Sequence, residues 1–136
     1  MRRSSWILFM VMAVGGGGAS AQSDPCAGAE TQADINECVG QTYQKADAQL
    51  NAAYKKVAAR LRADESQHKR LVAAQREWIK FRDAECAFAT ANSDGGSAHS
   101  MALAACLTEL TQQRANQLDK YLQCPEGDLG CPISEP

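Results

Sequence analysis

Six cysteines, two histidines and one polar, glycine-centred segment are the residues of this 136-residue chain whose types could do chemistry. Cys26, Cys38, Cys86, Cys106, Cys124 and Cys131 could act as thiolate nucleophiles, as metal ligands or as cross-links. No two of them are spaced Cys-x-x-Cys, and only His68 and His99 could complete a ligand set, so no metal site and no cofactor are expected. Neither histidine has a sequence context that pairs it with a nucleophile, and no phosphate-binding loop is present. The even cysteine number instead reads as three disulfides, and paired cysteines cannot serve as nucleophiles. An enzyme is therefore not expected.

Disulfides require an oxidising compartment, and the N-terminus supplies the route. Arg2 and Arg3 precede an unbroken apolar run from Trp6 to Val14, then Gly15 to Gly18 and an Ala19-Ser20-Ala21 cleavage signature. The run is far shorter than the ~20 residues a membrane-spanning helix needs. Residues 1–21 read as a Sec-type signal peptide cleaved after Ala21, leaving a periplasmic or secreted protein with no membrane anchor. Cys26 lies too far beyond the cut to be a lipid-modified terminus. Residues 22–124 then form a helical domain, and 125–136 a short tail closed by Cys124–Cys131.

The elements that must position these residues are helices. Thr31 followed by Asp34 is a helix-start signature of the capping-box type. Ile35, Val39, Tyr43, Ala46, Leu50, Tyr54, Val57 and Leu61 follow at steps of three and four, one apolar stripe on a helix of about 30 residues. Ala63-Asp64-Glu65-Ser66 breaks it. A second stripe runs through Leu71, Ala74, Trp78, Phe81 and Phe88. The segment 92–97, Asn-Ser-Asp-Gly-Gly-Ser, is a loop, after which Ser97 could cap a third helix carrying Met101, Leu103, Leu107, Leu110, Leu118 and Tyr121. No strand pattern occurs. The expected fold is all-α: a disulfide-stabilised three-helix bundle with a long antiparallel helical hairpin and the third helix in its groove.

Heights along such a bundle bring Cys38 level with Cys106, with Cys26 and Cys86 at the same end. Cys26–Cys86, Cys38–Cys106 and Cys124–Cys131 are the favoured pairs, with exchange among the first four left open. Trp78 and Phe81 read as core, Tyr43 and Tyr54 as seam residues, and Arg82 with Asp83 as an ion pair on a helix face. Asn36 and Asn51 lie off the stripe, where they could hydrogen-bond between helices.

Charge is unevenly spread. The whole chain carries a formal −2, which argues against nucleic acid as a partner. Residues 22–44 hold four acidic and no basic side chains, 45–82 ten basic and four acidic, and 83–136 eight acidic and two basic. In a hairpin the basic excess gathers at the first turn, and most of the acidic excess at the opposite end, with the glycine loop and the chain termini.

Several blocks carry a family resemblance: Cys26 with Thr31-Gln32-Ala33-Asp34-Ile35-Asn36-Glu37-Cys38; Tyr43 to Asn51 with Tyr54; Ala74-Gln75-Arg76-Glu77-Trp78-Ile79-Lys80-Phe81-Arg82-Asp83-Ala84-Glu85-Cys86; then Gly95-Gly96-Ser97, Ala105-Cys106-Leu107-Thr108 and Arg114. Together they resemble the N-terminal domain family of LprI-type lysozyme inhibitors over about residues 26–122. The resemblance implies a secreted or envelope-attached helical domain and, from the family's namesake, inhibition of host-type lysozyme. The sequence departs from that pattern in lacking a lipid-anchor cysteine and in adding the Cys124/Cys131 tail.

Inhibition requires only that a rigid projection occlude the groove in which a basic lysozyme cleaves glycan with two carboxyl groups. The loop carrying Ser93, Asp94, Gly95, Gly96 and Ser97, with His99 just beyond, is the expected partner-binding site, its glycines allowing close backbone approach. The expected partner is a basic lysozyme-type glycosidase. The alternatives are a periplasmic immunity-type protein that neutralises another wall-degrading enzyme or toxin, and a non-inhibitory structural or adaptor module of the envelope.

Overall fold

The structure is a computed structural model that describes residues 25–125 and 127–133. The signal-peptide reading of residues 1–21 lies outside the described residues. The described residues form three long helices, α1 (Gln32–Arg60), α2 (Glu65–Thr90) and α3 (His99–Tyr121), with a single 3-10 turn at Ala91–Ser93 and no strand.

Local chemistry sets the ends of the first two helices. The Thr31 hydroxyl accepts from the Asp34 backbone N–H at 3.1 Å, while Thr31 N–H donates to the Asp34 carboxylate at 3.3 Å, a reciprocal capping box. Leu61–Asp64 forms the break, and the Asp64 carboxylate accepts from Gln67 N–H at 2.9 Å to start α2. The start of α3 differs from expectation. Its N-cap is Ala98, with no side-chain bond, and Ser97 instead offers its carbonyl to Asn36 Nδ2 at 3.1 Å. The Gly95–Gly96 turn carries Ser97 one residue short of the cap position, so Gly96 C=O, not a side chain, accepts the His99 N–H.

The short first turn makes α2 antiparallel to α1, and α3 returns parallel to α1. Ser97 and Met101 therefore meet Asn36 and Gln32 at one end, and Ala115 lies beside Ala53 toward the other. The closest pair is α1 with α3; α2 leans on α3 and reaches α1 mainly through long side chains. Small residues explain the tight seam: Ala46, Ala53, Thr111 and Ala115 are all buried and let backbones approach. Leu50, Ala53, Val57, Leu61, Leu71, Ala115, Leu118 and Ile133 form one apolar cluster on the side of the α1–α2 turn.

Three further expectations differ from the structure. First, the disulfides join Cys26 to Cys38 and Cys86 to Cys106, not Cys26 to Cys86 and Cys38 to Cys106. Height along a bundle does not give direction around a helix. Cys38 precedes the seam residue Val39 by one position, which turns it about 100° away, onto the flank it shares with Thr42 and Gln49. The flank facing α2 is that of Tyr43 and Asp47, so Cys38 is met by the folded-back segment carrying Cys26. Cys124 and Cys131 are joined to each other.

Second, the inward stripe of α2 is Leu71, Trp78, Arg82, Cys86 and Thr90, while Phe81 is 55% exposed and Phe88 80%. Phe81 and Phe88 sit a full seven residues apart on a side of α2 that no other helix covers. Third, the C-terminal tail does not join the acidic end. Because α3 runs parallel to α1, the tail emerges at the basic turn, where Ile133 is buried against Leu61 and Leu71.

Candidate functional site

The segment 92–97 is ordered by its own backbone and by both neighbouring helices. Thr90 Oγ1 donates to Cys86 C=O at 2.7 Å and Ser93 Oγ to Thr90 C=O at 2.7 Å, extending α2 into the 3-10 turn. Asp94 N–H and Gly96 N–H then bond to Ala91 and Ser93 carbonyls at 3.2 and 3.0 Å. Gly95 adopts φ +75°, a left-handed conformation that side chains disfavour. At Gly96 a Cβ would lie 3.1 Å from the Ser93 carbonyl oxygen, so glycine suits both positions.

Two of the six proposed contact residues face inward. His99 Nδ1 lies 3.1 Å from Ser93 Oγ and 3.3 Å from Asp94 Oδ1, so a single ring ties the start of α3 to the first half of the loop. Ser93 and His99 are half-buried, whereas Asp94, Gly95, Gly96 and Ser97 are exposed. The presented surface is thus a backbone crest carrying one carboxylate, with His99 and Ser93 as its brace. Asn36 fixes the crest to α1 through its bond to Ser97 C=O, a helix-to-loop bond where one between helices is expected. Asn51 does not act likewise: it bonds to Asp47 on its own helix at 2.9 Å.

The Cys86–Cys106 disulfide spans the base of the loop, its Cα atoms 5.7 Å apart. Glu30, Asp34, Glu37, Asp83, Glu85 and Asp94 all belong to this end, and neither 25–44 nor 83–113 contains a lysine or arginine. A crest of this kind offers backbone N–H and C=O groups and an anionic field to a cationic partner.

Below the loop sits a residue that the sequence reading placed on the surface. Arg82 is only 8% exposed and touches all three helices. Its guanidinium pairs with Asp83 at 2.8 Å, approaches Thr111 Oγ1 at 3.5 Å and Asp47 at 4.0 Å, and stacks on Trp78 at 5.3 Å and Tyr43 at 5.8 Å. The expected Arg82–Asp83 ion pair exists, but the arginine points inward. Its signal in the sequence was position: Arg82 lies four residues from Trp78 and from Cys86, on the helix face they share. Arg114 also stacks on Trp78, at 5.9 Å, and donates to Gln75 at 3.1 Å; burial pulls its guanidinium below the usual arginine range, against an opposing effect of Tyr121.

Among the described residues no cluster of three or more His, Cys, Asp or Glu could hold a metal ion, and every cysteine is paired. No described helix is long and apolar enough to cross a membrane.

Comparison with known proteins gives consistent relatives. The family described as "Lysozyme inhibitor LprI" matches residues 23–118. The chain is 35% identical over 117 residues to a protein of Rhizobium meliloti (strain 1021) described as uncharacterized, covering 77% of this chain and 84% of that protein. It also resembles the crystal structure of a DUF1311 family protein from Pseudomonas putida KT2440, with a TM-score of 0.61 and 28% identity over 67% of this chain and 93% of that one.

Proposed function

Since the chain belongs to the LprI lysozyme-inhibitor family, we propose that it is an exported protein that blocks a basic, lysozyme-type glycosidase by seating the Asn92–Ser97 crest in the enzyme's glycan groove. The observation that carries this reading is the crest itself, a braced, exposed turn flanked by segments, 25–44 and 83–113, that hold no lysine or arginine. A groove enzyme of this kind holds its substrate between two carboxyl groups, and a rigid projection that fills the groove excludes glycan without any chemistry. Rigidity matters because a loop ordered only on binding would forfeit part of its interaction free energy. The anionic field speeds encounter with a cationic enzyme. Export is supported by the disulfides, which persist in oxidising compartments.

Titration of the oxidised protein into a cell-wall lysis assay with chicken-type lysozyme tests the reading. Loss of lysis near one equivalent, relieved by salt and by the Asp94→Lys, Glu30→Lys double change with helicity intact, is the expected result. Full lysis at large molar excess would overturn lysozyme as the target. Inhibition indifferent to the charge reversal would overturn the acidic end as the contact.

A further inference from the structure

Opposite α2, the segment 25–30 folds back along α1 and leaves a groove of about 620 Å³ between itself, α1 and α3. Cys26 closes one wall, Ile35 and Val39 of α1 form the floor, and Met101 and Ala105 of α3 form the other wall. Glu109 is the sole ionisable group among the described lining residues. From Met101 to Gln112 the groove follows α3 for about 16 Å, room for roughly three helical turns.

We propose that this groove docks a basic, amphipathic helical segment of a protein partner, laid along α1 and α3 with its apolar face on Ile35, Val39 and Met101. Charge complementarity selects this occupant. The segments that build the groove lack lysine and arginine from 25 to 44 and from 98 to 113, while the exposed Glu109 lines it and Glu30 and Asp34 adjoin the lining residues Ala29 and Ile35 in the chain. An apolar stripe meets the floor, and flanking lysines or arginines meet the carboxylates. Alanine at 102 and 105 permits close backbone approach, and the flexible thioether of Met101 adapts to the inserted side chains. The Cys26–Cys38 bond sets the position of the outer wall, so the groove depends on that disulfide and not on Cys86–Cys106. The proposal is independent of the lysozyme reading, which uses the crest at 92–97.

The test uses a synthetic leucine/lysine peptide about 14 residues long with an amphipathic helical repeat, titrated into the oxidised protein by fluorescence anisotropy and circular dichroism. Saturable one-to-one binding with a gain of peptide helicity is expected, weakened about tenfold or more by Ala105→Arg and less by Glu109→Lys. Ala105 is exposed, so the arginine blocks the groove without entering the core. Chemical-shift mapping on the unmutated protein gives a second readout, with changes expected at Ile35, Val39, Met101 and Ala105. Equal binding of a leucine/glutamate peptide would overturn the charge argument. Shifts confined to residues 92–97, or affinity unchanged by Ala105→Arg, would overturn the groove. Self-association relieved by Ala105→Arg would overturn the peptide by making a second copy the occupant.

Discussion

Around the α1–α2 turn the helices close over Leu50, Val57, Leu61, Leu71, Leu118 and Ile133, whereas toward the 92–97 crest the buried positions include Cys26, Cys86, Thr90, Thr111 and Arg82. One end is an apolar core; the other is a set of cystines, hydroxyls and a stacked guanidinium. The hydrophobic end is basic outside, and its core recruits the tail through Ile133. The polar end is acidic outside and carries two disulfides within about two turns of the crest. A slim, alanine-rich bundle thus presents a braced loop by substituting covalent and polar ties where apolar area is scarce.

The sharpest test of that contrast is Leu118→Ala, because Leu118 is wholly buried in the apolar cluster. A loss of about 3–4 kcal/mol in urea-induced unfolding is expected, spread over the whole molecule. A loss near that of a surface change would mean that the turn end is not the thermodynamic core. Next in size is replacement of Cys86 and Cys106 by serine, expected to remove about 3 kcal/mol. Hydrogen exchange should then accelerate in α2 beyond Arg82 and in α3 before Thr111, while Val57–Leu61 and Ala115–Leu118 stay protected. Uniform acceleration would erase the distinction between the ends. The smallest effects compare two helix starts: Thr31→Ala should cost about 1 kcal/mol and Ser97→Ala less than about 0.5 kcal/mol, because only Thr31 caps its helix through its side chain. A Ser97 effect as large as that of Thr31 would show that the crest leans on its hydroxyl.

Much of the polar end was legible in the sequence and much was not. The glycine loop, its place between two long helices and the lack of basic residues around it follow directly from residue order. His99 was named as a contact, but its inward turn onto Ser93 and Asp94 depends on where α3 begins. The aromatic residues of α2 misled for a physical reason. Trp78, Phe81 and Phe88 look like one stripe when hydrophobicity alone is weighed, yet α2 touches its neighbours along the face of Trp78, Arg82 and Cys86. An arginine can fill such a face when carboxylates and aromatic rings satisfy it, and no hydropathy pattern shows those partners in advance.

Residue order alone settles what is local: helix content, the capping box at Thr31, the break near Asp64 and the glycine turn, along with the even cysteine set and the polarity of charge along the chain. These depend on neighbours within a turn or two, where backbone sterics and capping bonds act. Packing of whole helices settles which cysteine meets which, that Arg82 is central while Phe81 and Phe88 are exposed, and that the tail packs at the basic turn. The first two depend on the rotation of one helix about its axis relative to another, and the third on α3 running parallel to α1. A difference of one residue in the chain is about 100° in direction, and only packing fixes it.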